Sequence, residues 1–406
     1  MDVKIQNCRL CNSKNLIDIF DLGKQPPANS LRSKVELSVP YFSLKLLYCN
    51  DCSVTQLDTT VDPKFLFDDY LWVTATSLEA NNYSNIFCKE VLKKISKDKP
   101  FVLEIASNDG TFLLPFKERK ANILGVDPAK KIALEATNNG IPTINNFFNK
   151  ELAHKIYKEK GRPDILIARN VIPHVKEINS IIEGISEIIS NEGIAVIEFH
   201  YSKKIIEELH YDSIYHEHLF YFSLLTISNL FKKYGMFAFD LLISPISGGS
   251  LVLFFSKLKK EQSESLKKMI SEEKKLKLND LKTWNEFAIK SKKHSGDLKK
   301  IVEEYSIKSK LIGYGASARS STMLNYSQIN SNHIEYIIDK NPLKKGLITP
   351  GTDIPIVTFT EGIKGAKNRN VLLLAWNFKS EIVTELRENG FTGDIIVPLP
   401  NEIIIL

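Results

Sequence analysis

The sequence has no apolar run long enough to cross a membrane, which takes roughly 18 to 20 residues. It also lacks a basic stretch followed by an apolar one near its first residue, the pattern of a secretory signal peptide. With 406 residues and 43% hydrophobic content, the chain fits a globular protein of two or three domains. We therefore expect a cytoplasmic protein without a membrane partner.

Arginine is scarce next to lysine, although Lys and Arg outnumber Asp and Glu and give a formal net charge of +6. The planar fork of arginine is the side chain that best recognises phosphates and base edges. Much of the lysine falls in the region 257–310, where glutamate is interleaved, and this pattern is typical of a solvated helix face. Nucleic acid is therefore not the expected partner.

Cysteine is also rare, with five in the whole chain, but four of them form two pairs. Cys8 and Cys11 make one C-x2-C motif, and Cys49 and Cys52 make the other. Each motif directs two thiolates to one point, and two motifs complete the tetrahedral sulfur shell that suits Zn²⁺. Two disulfides are the alternative, which a cytosolic chain would not keep. We predict a structural zinc site, since four protein ligands leave no position for a reacting water.

A doubly wound α/β core is predicted to begin at residue 101. Short apolar runs predict strands at 101–105, 123–127, 164–168 and 193–198, with a ligand at their carboxyl ends. The first loop lacks the G-x-G-x-x-G pattern that brings a pyrophosphate to a helix N-terminus. The loop is acidic instead, which suits the cationic methionyl end of S-adenosylmethionine. An α/β domain without a cofactor is the alternative.

Within this core the acidic side chains indicate how the cofactor would be held. Glu104 and Asp109 flank the first loop, which also contains Ala106, Ser107 and Asn108. Asp127 ends the second strand, where a carboxylate accepts hydrogen bonds from both ribose hydroxyls of an adenosine.

The densest group of titratable side chains is Tyr211–His218, which holds two imidazoles, two phenols and carboxylates. A histidine beside glutamate and tyrosine is well equipped to move protons near neutral pH. In an extended segment alternate side chains share a face, so periodicity does not choose between His216 and His218. A polar loop with solvated histidines is the alternative, and we expect His200 and His210 to be structural.

The C-terminal third predicts a second Rossmann-like unit. Two antiparallel strands, at 237–242 and 250–256, precede lysine-rich helices over 260–306. A strand then enters the glycine turn Gly313–Arg319, which could cradle a pyrophosphate at a helix N-terminus. One candidate ligand is NAD, with Asp339 at the end of the next strand on its ribose.

Four stretches resemble the deoxysugar C-methyltransferases, and with the cysteine pairs the resemblance covers essentially the whole chain. The stretches are Glu104-Ile-Ala-Ser-Asn-Asp-Gly-Thr-Phe-Leu, Gly125-Val-Asp-Pro-Ala, Arg169-Asn-Val-Ile-Pro-His-Val and Tyr211–Tyr221. The resemblance implies an α/β protein with a small zinc-binding domain at 1–75, a central Rossmann-like S-adenosylmethionine methyltransferase domain at 76–240 and a C-terminal Rossmann-like α/β domain at 241–406. Ala106 departs from the family, which usually has glycine there, and a methyl group is tolerated if φ is negative.

The resemblance also implies a reaction, methyl transfer to C3 of a nucleotide-linked 4-keto-deoxysugar. A base removes the proton beside the ketone, and the resulting enolate attacks the methyl group. By matched motif His218 is the base, while Tyr215 and Glu217 orient it or bind the sugar. His174 matches a histidine that donates to the keto oxygen, although it could simply pack at a strand end. Tyr70 aligns, more loosely, with an active-site tyrosine.

The resemblance places Asn170 beside the cofactor and the nucleotide near the C-terminal glycine turn, with Arg319 or Lys344 at the phosphate. Three other functions stay open on sequence alone. The chain could be an O- or N-methyltransferase for a nucleotide sugar with the same architecture. It could be an NAD(P)-linked enzyme that modifies nucleotide sugars. It could also be a zinc-bearing binding protein without activity.

Overall fold

The computed structural model describes residues 2–67, 74, 78–246, 248–364 and 366–406. Its strands are β1 Asp2–Lys4, β2 Leu16–Gln25, β3 Phe42–Cys49, β4 Thr55–Leu57, β5 Thr59–Val61, β6 Phe101–Ile105, β7 Asn122–Asp127, β8 Thr143–Asn145, β9 Ile165–Arg169, β10 Ile194–Phe199, β11 Phe220–Tyr221, β12 Phe237–Ile243, β13 Leu251–Ser256, β14 Leu311–Tyr314, β15 Ile334–Ile338, β16 Ile356–Val357, β17 Val371–Leu373, β18 Ile395–Val397 and β19 Ile404–Ile405.

The α-helices of the described residues are α1 Pro63–Phe67, α2 Leu78–Leu92, α3 Leu114–Glu118, α4 Lys130–Asn138, α5 Lys150–Lys160, α6 Ile178–Ile188, α7 Ser202–Glu207, α8 Leu224–Lys233, α9 Glu264–Leu276, α10 Leu281–Ser306, α11 Ala318–Tyr326, α12 Phe359–Gly362 and α13 Lys379–Glu388. Short 3-10 turns lie at Ile172–His174, Tyr211–Ser213, Pro342–Lys344 and Trp376–Phe378. None of these helices is both long and apolar enough to cross a membrane.

The N-terminal sheet has the strand order β11-β4-β3-β2, and its neighbouring strands are antiparallel. Three of its strands come from the first 57 residues, but β11 belongs to the stretch that follows Tyr211–His218. Phe220 pairs with Gln56, and Tyr221 pairs with Thr55. The proton-transfer segment predicted from the sequence therefore ends as an edge strand of the cysteine-containing domain.

The central sheet has the order β12-β13-β10-β9-β6-β7-β8 and is parallel from β10 to β8. Its middle strands are continuous apolar runs because helices cover both faces, as parallel sheets require. The strand order reverses between β6 and β9, and in this fold class the ligand crevice lies beyond the carboxyl ends of those strands. The predicted strands at 101–105, 123–127, 164–168 and 193–198 are confirmed within one or two residues.

Two further strands extend the central sheet beyond residue 240, where the sequence analysis ended the central domain. β13 pairs antiparallel with β10 over six residues, and β12 pairs with β13. The alternation of small turns and apolar runs predicted this hairpin but not the sheet that it joins. The central sheet therefore ends at Ser256.

The C-terminal sheet has the order β16-β15-β14-β17-β18-β19, with only β19 antiparallel to its neighbour. It is a second doubly wound unit, as predicted. The lysine-rich region forms two helices, α9 and α10. The buried side chains of α10 lie at helical spacing on one face and include Trp284, Phe287, Leu298 and Val302.

One amide joins the cysteine-containing domain to the central domain. The Asn179 side chain, on α6, donates from Nδ2 to the carbonyl oxygens of Arg9 and Leu10, at 2.8 and 3.3 Å. Its Oδ1 accepts from the hydroxyl of Tyr234 at 2.8 Å and from the ammonium of Lys233 at 3.1 Å. The backbone between Cys8 and Cys11 is thereby held against α6.

Asn179→Ala should loosen this contact, because it leaves two partly buried carbonyls and one phenol without their partner. We expect a loss of about 1–3 kcal/mol in the free energy of unfolding, measured by thermal or urea denaturation. Asn138→Ala, at the exposed end of α4, is the matched control and should change little. Equal stability of the two variants would contradict the role of Asn179.

Candidate active site

The four paired cysteines converge as the sequence predicts. Their sulfur atoms all lie within 4.8 Å of one another, with Cys8–Cys52 at 3.7 Å and Cys11–Cys49 at 3.5 Å. A tetrahedron of sulfurs around zinc, with Zn–S bonds of about 2.3 Å, has edges of about 3.8 Å. The donor set and its spacing therefore fit Zn²⁺ with no open coordination position.

Both cysteine motifs adopt the same backbone turn. The residue that follows each motif by one place, Asn12 and Ser53, has a positive φ and donates its N–H to the carbonyl of the first cysteine. The Gln56 amide also donates to the sulfur of Cys8 at 3.1 Å. Such outer hydrogen bonds orient a metal ligand and stabilise its thiolate form.

The predicted cofactor loop lies at the carboxyl end of β6, beside the point where the strand order reverses. The Asp127 carboxylate, at the end of β7, accepts the backbone N–H of Asn108 at 2.9 Å and that of Ala129 at 2.8 Å. Each of its oxygens keeps a second lone pair for a further donor. The loop and the acid are thus fixed to one another by the backbone.

Several buried polar atoms in this crevice have no hydrogen-bond partner among the described residues. They are Glu104 Oε2, Ser107 Oγ and Asn170 Oδ1. Buried polar atoms are normally satisfied in native proteins, so a cluster of unsatisfied ones indicates a polar ligand. Burial raises the pKa of Glu104 to about 8, an effect that a cation bound nearby would oppose.

Ala106 departs from the expectation of a negative φ. Its φ is +54°, in the left-handed region where the Cβ crowds the following carbonyl. The turn also places Asn108 at a φ of +51°, so the loop needs this conformation at both positions. The condition for tolerating the methyl group is therefore not met, and Ala106 is a strained residue.

Three imidazoles meet above the carboxyl ends of β9 and β10. His174 closes the 3-10 turn after β9, and His200 directly follows β10. The ring of His218 lies edge-on to both, with ring centroids at 4.9 Å from His174 and 4.8 Å from His200. The predicted base and the predicted oxyanion donor are therefore in contact, on the same edge of the sheet as the cofactor loop.

The hydrogen bonds of His218 define its tautomer. Its Nδ1 lies 2.9 Å from the carbonyl oxygen of Ser213, which can only accept, so Nδ1 carries the proton. Its Nε2 is then an acceptor, and it lies 2.8 Å from the hydroxyl of Tyr215. Burial lowers the pKa of His218 well below its usual value, and the neighbouring imidazoles lower it further. The ring is therefore neutral, with its lone pair directed at a phenol.

The other two imidazoles are also held neutral. Burial lowers the pKa of His174 to about 4 and that of His200 to about 3. Close imidazoles that share a low-dielectric site disfavour each other's protonation. Such a cluster offers lone pairs and N–H donors near neutral pH without carrying a positive charge.

Glu217 and His216 face the cysteine-containing domain. The Asn29 amide donates to Glu217 Oε1 at 2.6 Å, while burial raises the pKa of Glu217 to about 7. The His216 ring packs edge-on to Phe42, with centroids 6.0 Å apart, and burial lowers its pKa to about 4. The structure thus separates the two histidines that sequence periodicity could not.

Two residues that the structure brings to this site, His200 and Asn29, were not predicted from the sequence. His200 was expected to be structural because no matched motif includes it, yet it directly follows β10 and its ring contacts that of His218. Asn29 lies in a loop of the N-terminal domain, and no sequence pattern links it to Glu217. Tyr70 lies outside the described residues.

The C-terminal glycine turn uses its own backbone donors internally. The N–H groups of Gly315, Ala316 and Ser317 donate to the carbonyl of Ile338, the carboxylate of Asp339 and the hydroxyl of Ser320. The ammonium of Lys344, expected near phosphate, donates to the carbonyl of Ala316 at 2.7 Å and lies 3.2 Å from Asp339. This arrangement does not favour a pyrophosphate cradle.

Arg319, the other residue expected near phosphate, is engaged elsewhere. Its guanidinium donates to both carboxylate oxygens of Asp212, at 3.1 and 2.9 Å, and Trp376 Nε1 donates to the same carboxylate at 2.8 Å. Asp212 is fully buried, so this arginine serves as its counter-charge.

Three family models match the chain in succession. They are described as "Putative zinc binding domain" over residues 8–67, "Methyltransferase domain" over 82–237 and "C-methyltransferase C-terminal domain" over 245–400. The C-methyltransferase NovU of Streptomyces niveus is 28% identical over 410 aligned residues, which span 99% of this chain and 97% of that protein. The resemblance to C-methyltransferases, with these three domains in this order, is thereby confirmed. The predicted enzyme class and both cofactors, S-adenosylmethionine and zinc, are confirmed for this C-methyltransferase.

Two of the solved structures that resemble this chain each cover less than half of it. Magnesium protoporphyrin IX methyltransferase of Synechocystis PCC 6803 is 12% identical, with 44% of this chain and 79% of that chain covered at a TM-score of 0.34. The PH0226 protein of Pyrococcus horikoshii OT3 is 16% identical, with 48% and 97% covered at a TM-score of 0.38. Similarity at this level bears on neither substrate nor mechanism.

Ala106→Gly should relieve the left-handed strain in the cofactor loop. We expect a gain of up to about 1 kcal/mol in the free energy of unfolding, read as a higher thermal midpoint. Ala133→Gly, inside α4, is the matched control and should lose about 1 kcal/mol, because glycine weakens a helix interior. A loss of stability in Ala106→Gly as well would show that the loop is not strained.

Glu217 and His216 should give opposite pH dependences of stability. The folded protein keeps the Glu217 proton up to about pH 7, whereas an unfolded chain releases it near 4.5, so this contribution to stability is lost as the pH rises through that window. Glu217→Gln should therefore gain up to about 3 kcal/mol over the native protein as the pH rises from 4.5 to above 7.

The pH dependence of the stability that His216 contributes has the opposite sign. The folded protein excludes its proton down to about pH 4, whereas the unfolded chain binds one near 6.5, so stability is lost as the pH falls between those values. His216→Gln should gain on the native protein over that acid range. Thermal midpoints of both variants, measured from pH 4 to 8, test the pair, and parallel curves would contradict it.

Proposed function

We propose that this C-methyltransferase methylates C3 of a nucleotide-linked 4-keto-deoxysugar. Methyl transfer to carbon needs a carbon nucleophile, and a hydrogen beside a ketone is acidic enough for a positioned base to remove. The site supplies such a base, and the motif resemblance of the whole chain supports a nucleotide sugar as the carrier of the ketone. The fixed neutral tautomer of His218 is the observation that carries the proposal.

In the proposed reaction the proton from C3 of the sugar reaches His218 through the hydroxyl of Tyr215. As Tyr215 Oη takes the C3 proton, its own proton passes over 2.8 Å to His218 Nε2. The electron pair of the broken C–H bond becomes the enolate, and His218 becomes an imidazolium. The new negative charge beside the cluster favours the imidazolium that burial alone disfavours. Ser213 holds the second N–H of the ring, as the orienting acceptor of a general base does.

The His174 ring contacts that of His218, and we propose that it lies near the keto oxygen of the substrate. A neutral imidazole donates one N–H, and its low pKa keeps it from acting as a competing acid. If this N–H turns to the keto oxygen when substrate binds, it would stabilise the charge that develops there as the proton leaves. Glu217, protonated near neutral pH and held by Asn29, is positioned to donate to a sugar hydroxyl.

The cofactor crevice supplies the other reactant. Bound S-adenosylmethionine provides an electrophilic methyl group on a cationic sulfur. Asp127 would accept the ribose hydroxyls, and the unsatisfied oxygens of Glu104 and Asn170 would face the polar methionyl end. The rest of this proposed cofactor surface consists of Ala106, Ser107, Asn108 and Asp109.

His218→Gln should lose methyl transfer and also the exchange of the C3 hydrogen with deuterated water. Exchange is measured by NMR with S-adenosylhomocysteine bound, so that deprotonation is followed without methylation. Binding of S-adenosylmethionine, measured by calorimetry, should stay within about twofold because the base does not hold the cofactor. His216→Gln is the matched control from the same segment and should keep both activities. Retained exchange in His218→Gln would move the base elsewhere.

The same assay distinguishes the path through Tyr215 from direct abstraction by His218. Tyr215→Phe removes the relaying hydroxyl and leaves the imidazole in place. Loss of exchange comparable to that of His218→Gln supports the relay, whereas near-native exchange would leave Tyr215 as an orienting residue only.

Transfer to oxygen or nitrogen needs no acidity beside a ketone, so it would proceed on a 4-hydroxy sugar obtained by reduction. Parallel incubation of the 4-keto and 4-hydroxy forms, followed by mass spectrometry, separates the two reactions. A methyl gain on the reduced sugar would overturn carbon as the acceptor in this substrate.

A further inference from the structure

One helix of the C-terminal domain binds the residues on both sides of Ser213, Asp212 through its carboxylate and Ile214 through its carbonyl. On α11, Arg319 binds the carboxylate of Asp212, and the Thr322 hydroxyl donates to the carbonyl of Ile214 at 3.1 Å. Residues three apart on a helix lie on one face, so both contacts come from the same side of α11. Ser213, between the two held residues, is the one whose carbonyl orients His218.

The contact with Asp212 is specific in both geometry and charge. The guanidinium of Arg319 binds the carboxylate with two parallel hydrogen bonds, and it stacks on Trp376 with its centre 4.5 Å from the ring. Trp376 donates a third hydrogen bond to the same carboxylate. A forked, charge-assisted pair fixes orientation more tightly than a point charge does. The 3-10 turn Tyr211–Ser213 is thereby fixed to the C-terminal domain.

We propose that Asp212, Arg319 and Thr322 are positioning residues, through which the C-terminal domain fixes the Ser213 carbonyl and with it the reactive tautomer of His218. This inference rests on the proposed function, because His218 is a base only there. It gives the C-terminal unit a part in the reaction that involves no ligand of its own. It also accounts for an arginine in the glycine turn that contacts an acid of the central domain.

If the Ser213 carbonyl turns away, His218 Nδ1–H loses its acceptor in a buried site, where an unmade hydrogen bond is costly. The proton then moves to Nε2 or the ring rotates, and in either case the lone pair at Tyr215 is lost.

The first test reads the tautomer directly and needs no activity. Protein labelled with ¹⁵N-histidine gives two ring-nitrogen shifts for each histidine, and His218→Gln identifies the signals of His218. In the native protein we expect a protonated Nδ1 and an unprotonated Nε2. Thr322→Val and Arg319→Lys should each convert part of the His218 signal to the other tautomer or broaden it. Native shifts in both variants would overturn the inference.

A matched substitution controls for general damage to the C-terminal domain. Thr349 is likewise buried there, and its hydroxyl bonds to Thr352 and to the backbone of Ile354. Thr349→Val should leave the His218 shifts unchanged, even if the thermal midpoint falls. If Thr349→Val shifts them as much as Thr322→Val, the effect is general loosening and the positioning role fails.

The second test is kinetic. We expect the rate of C3 hydrogen exchange and kcat to fall about tenfold or more in Thr322→Val and Arg319→Lys, as for other residues that orient a reactive ligand. The Kd for S-adenosylmethionine should stay unchanged, because none of these residues lies in its crevice. If Arg319→Lys does not fold, Thr322→Val is the deciding variant, because it only replaces a hydroxyl group with a methyl group of similar size. Native rates with native cofactor affinity would overturn the inference.

The two tests separate this inference from the proposed function. If the native protein neither exchanges nor methylates 4-keto sugars, the proposed substrate is wrong, yet the tautomer measurement still reports whether α11 sets His218. If the native protein is active and the His218 tautomer is unchanged by the substitutions on α11, the proposed function stands and only the positioning role is wrong.

Discussion

The pairing of β11 with β4 is the interaction on which the geometry of the site depends. Only two residue pairs form it, extended by a backbone bond from Leu57 to the carbonyl of Leu219 at 3.0 Å. Gln56 takes part in this pairing, and its side chain also donates to the zinc ligand Cys8. One residue therefore connects the metal shell to the strand that follows His218. A zinc ion held by the four cysteines would therefore support the position of His218 through this pairing.

Burial gives the site a uniform electrostatic character. The imidazoles near His218 are kept neutral, and the carboxyl groups of Glu104 and Glu217 are shifted toward their protonated forms. A low-dielectric site disfavours every isolated charge, so its resting groups are neutral donors and acceptors. A reaction that joins a cationic cofactor to a developing enolate brings in both charges itself. In the proposed reaction the protein would therefore stabilise a pair of opposite charges rather than an isolated ion.

The strands, the paired cysteines and the proton-transfer segment could be predicted from the sequence. Each of them is recognisable from a short local pattern of residues. The partners of that segment were not predictable in the same way. Asn29 reaches Glu217 across 188 positions of sequence, and Arg319 reaches Asp212 across 107. The φ of Ala106 likewise follows from the turn that binds Asp127. Such features are decided by how three domains pack together, which periodicity does not record.

The hairpin of β12 and β13 has a consequence for how this chain can be divided. The C-terminal family match begins at residue 245, between these two strands, although β13 lies inside the central sheet, between β12 and β10. Dividing the chain at residue 245 would remove β13, the antiparallel neighbour of β10, and would leave β12 without the strand that it pairs with. The freed backbone of β10 would present an apolar edge, the kind of surface on which chains aggregate. The catalytic and C-terminal units thus share a strand, and neither is a separable module.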